Sequence, residues 1–265
     1  MSVFLEASAL SFSARGRRLV DNVSLRLECG SLTAMIGPNG AGKSTLFRLL
    51  TGERAPCHGE ILVSGEPLAA MAPWRLAEKR AVMAQNATLA FPFRAHEVAR
   101  LGLAVVGRRL PAARIETILA ASLSAAGVTH LADRDYQTLS GGEQQRVRFA
   151  RTLCQLKAGQ AVGEGQALFL DEPTASLDLE HQFSLMSAAR ALAEEGVAVV
   201  AIVHDLNIAA AFAREVIVLS DGKIVAHGRP GAVLTETLVG DVFHVRLRVV
   251  SDAETGRPII LPQGY

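Results

Sequence analysis

Short apolar runs and helical-period segments follow one another along most of this chain. Residues 5–12, 23–27 and 32–36 predict strands, a helix follows over 43–50 with Gly52 as its stop, and 60–63 predicts a further strand. From about 87 to 156 the pattern turns Ala- and Leu-rich. Val98, Leu101, Leu119 and Leu123 recur there at helical spacing, which predicts a helical segment inserted into the β-rich remainder. Strand and helix then alternate: 168–170, 179–194, 197–203, 206–213 and 216–219, the last turning at Asp221-Gly222 into 224–226. This alternation predicts an α/β fold with a largely parallel sheet and a site at the carboxyl ends of its strands. A terminal hairpin is predicted from 245–250 and 258–261.

Three segments within this pattern carry chemistry. Gly37, Pro38, Asn39, Gly40, Ala41, Gly42, Lys43, Ser44 and Thr45 fit GxxxxGK[ST] between a strand and a helix. Glycines let backbone N–H groups curl round phosphates, Lys43 brings a cation to the β and γ oxygens, and Ser44 offers a hydroxyl to Mg²⁺. The positive end of the following helix favours the same anion. In the second segment, Leu139 to Arg146, Ser140 is a natural N-cap with Glu143 at N3, a capping box. Gly141 and Gly142 open the helix mouth to a second anion, and Val147, Ala150, Leu153 and Cys154 form a buried stripe. The third segment is an apolar strand ending in Asp171-Glu172. Neighbouring strand residues point to opposite sides, so the two carboxylates divide their tasks: Asp171 for the Mg²⁺ shell, Glu172 for the water that attacks the γ phosphate.

Taken together, GPNGAGKST, LSGGEQQR, LFLDEPTASLD and a histidine after a later apolar strand resemble the ATP-binding subunit of an ABC transporter. The resemblance implies ATP and Mg²⁺ as cofactors and a P-loop NTPase (RecA-like) core with a mixed sheet, an antiparallel β subdomain and an inserted α-helical subdomain. It divides the chain into a core of 1–86 and 157–226, a helical subdomain of 87–156 and a C-terminal extension of 227–265. Gln85 becomes the Q-loop glutamine and a further Mg²⁺ contact, Glu172 the catalytic carboxylate, Asp178 the end of the D-loop and His204 the switch histidine. Two copies are then expected to pair head to tail, Ser140 and Gly142 of one closing over the γ phosphate held by Lys43 of the other. The Q-loop implies coupling to two permease subunits through 85–94, including Phe91-Pro92-Phe93. The aromatic residue that stacks on adenine in the family is replaced by Ala14, with Phe12, Arg15 and Arg17 as candidate substitutes.

A glycine-rich insertion over 159–166, read as a surface loop, the stretch 176–182 and the closing Pro258 to Pro262 resemble the haem (hemin) importer ATPases. A periplasmic haem-binding protein is the indirect partner this implies. Siderophore and cobalamin importers form the wider group. Composition fits such a motor: 265 residues, 49% hydrophobic, with 27 basic against 26 acidic side chains, give no bulk attraction to nucleic acid. Neither a signal peptide nor a membrane-spanning run is expected, which predicts a cytoplasmic chain, and the resemblance to importer ATPases implies the cytoplasmic face of the bacterial inner membrane. Cys29, Cys57 and Cys154 lie far apart without CxxC spacing, and the seven histidines offer no zinc spacing. A soluble ABC-type ATPase acting on nucleic acid or ribosomes would carry a long coiled coil or a second ATPase domain. A P-loop kinase would have no use for LSGGEQ.

Overall fold

The computed structural model describes residues 2–84 and 92–263. In chain order the elements open with β1 (Val3–Ala14), β2 (Arg17–Glu28) and β3 (Leu32–Ile36), then α1 (Lys43–Leu50), β4 (His58–Val63) and β5 (Glu66–Pro67). Next come α2 (Pro73–Lys79), β6 (Arg80–Met83), α3 (Ala95–Arg100), α4 (Ala112–Ala125), α5 (Gly141–Ala161), β7 (Ala167–Asp171) and α6 (Leu179–Glu194). The chain closes with β8 (Ala198–Ile202), α7 (Leu206–Phe212), β9 (Glu215–Ser220) and β10 (Lys223–Gly228). Beyond these lie α8 (Pro230–Val233), α9 (Glu236–Phe243), β11 (Leu247–Ser251) and β12 (Pro258–Pro262).

These elements gather into two compact units, one of residues 1–70 and 200–265, the other of 71–199. In the first, β2-β1-β4-β5 form an antiparallel sheet. Strand β2 alternates exposed and buried residues along its second half, as a sheet with one wet face requires. A second sheet of this unit runs β10-β9-β3-β8, with β3 and β9 parallel (Thr33 opposite Glu215, Ile36 opposite Val218) and β10 antiparallel to β9. Every residue of β3 is buried, the mark of a strand covered on both faces.

The C-terminal hairpin pairs Leu247 with Pro262 through Ser251 with Pro258. It is fastened to α7 by side chains: Asn207 Nδ2 donates to Ile260 O (3.1 Å) and Asn207 Oδ1 accepts from Ile260 N (2.8 Å). Arg257 donates to the carbonyls of Ala210 and Ala211 at the end of the same helix. Ile260 and Leu247 are both buried.

In the second unit β6 and β7 pair in parallel, from Arg80 opposite Ala167 to Met83 opposite Leu170. Strand β8 straddles the boundary, Ala198 donating from its backbone N–H to Gln166 O within the second unit. The long helix α5 buries Val147, Ala150, Leu153 and Cys154, the stripe its sequence predicts. Burial pushes the Cys154 thiol up to about 11, so it stays protonated and inert.

The segment 159–166 departs from the surface loop its glycines suggest, because α5 continues to Ala161 and the remainder is tied inward. Glu164 Oε2 accepts from Lys79 Nζ at 2.7 Å, Gln166 N donates to Lys79 O at 2.9 Å, and the Lys79 side chain is only 7% exposed. Next to it, the buried Glu78 carboxylate accepts from Arg109 at 2.7 Å. Two acid–base pairs thus hold the end of α2 where β6 begins. Of the sequence candidates, Gln85 and Phe91 lie outside the described residues.

Candidate functional site

The first unit carries the phosphate loop at the carboxyl end of β3. Gly37 has φ +150° and a Cβ there would stand 2.2 Å from Leu219 O; Gly42 has φ +99° and a Cβ would meet Leu19 O at 2.3 Å. Only glycine fits either position, by backbone conformation and by space. The loop is braced by Ala41 N on Pro38 O (3.2 Å) and by the Asp221-Gly222 turn, whose Gly222 N donates to Ala41 O (3.0 Å). The contribution of Leu19 on β2 and Leu219 on β9 as walls has no signature in the sequence, since both lie on strands distant along the chain.

Helix α1 starts at Lys43 with Gly42 as N-cap and no side-chain cap on its N–H groups. Its first N–H donors have no intrahelical acceptor, so the mouth presents donors and the positive end of the dipole. Lys43 is 6% exposed, and its Nζ donates to Gly37 O (2.7 Å) and Pro38 O (3.0 Å). The ammonium is therefore folded over the loop it springs from. A buried cation, an uncapped helix mouth and a glycine-walled loop fit a polyphosphate. Ser44, partly buried at the second position of α1, fits the hydroxyl of a hard-cation shell.

In the same unit His204 is exposed directly beyond β8, and Asp205 starts α7 by accepting from Asn207 N (2.7 Å) and Ile208 N (3.3 Å). Phe12 is partly buried on β1 with the Arg54 guanidinium 5.6 Å from its ring centroid. Ala14 pairs with Arg17 at the tip of the same hairpin. Phe12 is thus engaged by Arg54.

The second unit carries the carboxylates and the helix mouth. Asp171 ends β7 and is 3% exposed, while Glu172, the next residue, is half-buried with φ +49°. A non-glycine residue in the left-handed region costs about 1–3 kcal/mol, and such strain persists only where neighbours hold it. One such neighbour is Gln145, 6% exposed, whose Nε2 donates to Glu172 O (3.0 Å) and Pro173 O (3.2 Å), beside Ala175 N on the same Glu172 O (3.2 Å). No spacing rule singles out Gln145 in the sequence.

At the start of α5, Ser140 Oγ accepts from Glu143 N (3.3 Å) and Glu143 Oε2 accepts from Ser140 N (2.7 Å), the reciprocal pair the sequence predicts. That backbone N–H holds the Glu143 carboxyl below its ordinary value. Ser140 and Gly141 are exposed, so the mouth is open to a ligand. Asp178 caps α6, accepting from His181 N (2.9 Å), with His181 Nδ1 2.6 Å from the same oxygen. The backbone bond leads in keeping its carboxyl ionised to lower pH.

Known proteins resemble this chain in sequence and in fold. A family profile described as ABC transporter matches residues 20–175. The hemin import ATP-binding protein HmuV of Rhodopseudomonas palustris is 46% identical over 263 residues, 99% of this chain and 96% of that protein. A solved metal-chelate type ABC transporter in an inward-facing conformation superposes with a TM-score of 0.80 at 24% identity, covering 100% of this chain and 98% of that one. An ATP-binding cassette solved as a post-hydrolysis dimer with ADP and Pi gives a TM-score of 0.73 at 23% identity, over 85% of this chain and 98% of that one. The last two establish likeness of fold. The profile covers more than half of the chain and the relative aligns almost end to end, so the chain belongs to the ABC transporter family.

Proposed function

We propose that this chain is the ATP-hydrolysing, energy-coupling subunit of an importer, with haem (hemin) as its cargo. The observation that carries the ATPase reading is the phosphate loop, with Lys43 buried and folded over it and α1 left uncapped. The cargo rests on the end-to-end similarity to a hemin import ATP-binding protein.

We assign the backbone of 37–45 and Lys43 to the phosphates, and Ser44, Asp171 and Gln85 to Mg²⁺. Bound Mg²⁺ would neutralise negative charge as it develops on the phosphates. Glu172 orients the attacking water and takes its proton, and His204 stands beyond β8 to contact the γ phosphate. Ser140, Gly141, Gly142 and Glu143 close over the nucleotide of a second copy, with Asp178 at the same seam. ATP then holds two copies together and hydrolysis releases them.

Among the described residues no helix is long and apolar enough to cross a membrane. On the similarity to a hemin import ATP-binding protein we place the protein peripherally, on the cytoplasmic face of the inner membrane, against two permease subunits that it meets through 85–94. The test is phosphate release by this subunit assembled with its permease in liposomes. Stimulation by a haem-loaded binding protein is the expected result. No stimulation by it, with stimulation by a ferric-siderophore-loaded or cobalamin-loaded one, would reassign the cargo.

A further inference from the structure

Glu172 occupies a backbone conformation that its side chain does not favour, at the start of a turn that also holds Ser176 at φ +63°. Two consecutive carbonyls of this turn, those of Glu172 and Pro173, accept from one buried donor group, the Nε2 amide of Gln145. Gln145 lies five residues beyond the Ser140 cap, on the first turns of α5. A second amide ten residues on, Gln155, spans two carbonyls in the same way, those of Ala77 (3.1 Å) and Arg80 (3.0 Å). Helix α5 is thus stapled at both ends to backbone, once at the catalytic turn and once at the root of β6.

We propose that Gln145 is a positioning residue for hydrolysis, fixing the left-handed turn that aims the Glu172 carboxylate and making that aim depend on where α5 sits. The inference rests on the assignment of Glu172 as the catalytic carboxylate. Its chemistry is simple: an amide carries two N–H bonds, and both carbonyls lie within reach of them. Without that donor the turn keeps its internal bond from Ala175 N to Glu172 O (3.2 Å) but loses the two that tie it to α5, and the carboxylate shifts while the phosphate loop, in the other unit, keeps its grip. A misplacement of about 1 Å at a reacting group costs on the order of 100-fold in rate.

The experiment compares Gln145→Met, which keeps the length of the side chain and removes the donor, with Glu172→Gln and with the double variant. ATP affinity is measured at equilibrium alongside turnover. Gln145→Met is expected to lower kcat by about 10- to 100-fold with ATP affinity within about twofold of the parent. On the Glu172→Gln background it should lower the residual rate no further, because Gln145 acts through Glu172. Unchanged turnover in Gln145→Met, a parallel loss of affinity and rate, or a further loss in the double variant would each overturn the proposal. Near-normal turnover in Glu172→Gln alone would instead remove the catalytic assignment beneath it. Should Gln145→Met not fold, Gln145→Glu supplies the reading: only its protonated form can donate, so its turnover relative to the parent should rise as pH falls from 8 to 6. A flat ratio would overturn the proposal.

Discussion

Lys43 shows at the scale of one side chain why the phosphate loop is readable from sequence. Two of its partners are local, since its Nζ donates to Gly37 O and Pro38 O. Each hydrogen bond to a charged group contributes about 1.5–3 kcal/mol, so Lys43→Ala should weaken ATP binding by about 10- to 150-fold in an equilibrium titration. Unchanged affinity would detach the lysine from the phosphates. Glu172→Gln should leave binding intact and cut phosphate release by about 10²- to 10⁴-fold, the size of a general-base contribution. The carboxylate was legible as a strand-end acid, but its φ of +49° and its tie to Gln145 were not. Those depend on a partner 27 residues away that has no spacing rule. Base recognition belongs to this scale too. Stacking on an aromatic contributes about 1–3 kcal/mol per base, and Ala14 offers none. GTP should therefore compete with ATP within about tenfold, and Ala14→Tyr should tighten ATP binding by about fivefold or more. A GTP affinity a hundredfold weaker would show the base to be read by other groups.

Elements set by local periodicity matched their prediction closely, while those decided by distant charge did not. Helix α1 runs from Lys43 to Leu50, as its apolar spacing requires, and α6 from Leu179 to Glu194, as its spacing and the Asp178 cap require. The terminal hairpin forms, yet its attachment through Asn207 and Arg257 was invisible, since side-chain clasps between residues 53 and 47 apart have no local pattern. The segment 159–166 was misread for the same reason, its Glu164 meeting a lysine 85 residues away. The hydrogen bond from Lys79 leads in holding the Glu164 carboxyl below its ordinary value of 4.5. A carboxyl lowered by folding stabilises the folded state above the unfolded value, and that stability is lost as pH falls through the folded value. Glu164→Gln should thus lower the unfolding temperature by about 2–6 °C at pH 7, with the deficit shrinking below pH 4.5. A deficit independent of pH would assign the effect to packing rather than to the ion pair.

For the whole molecule, the assignment turns on each chain holding half of every nucleotide site. Lys43 lies in one compact unit and the Ser140 mouth, exposed at the start of α5, in the other. Ser140→Ala should impair hydrolysis while ATP affinity at the loop of the same chain stays near that of the parent. The most direct measurement is the solution mass of the Glu172→Gln protein, by light scattering or sedimentation, with ATP and Mg²⁺ and then with ADP. The account predicts a species near twice 28.1 kDa with ATP and one near 28.1 kDa with ADP. A single chain at every ATP and protein concentration, with ATP bound, would contradict it.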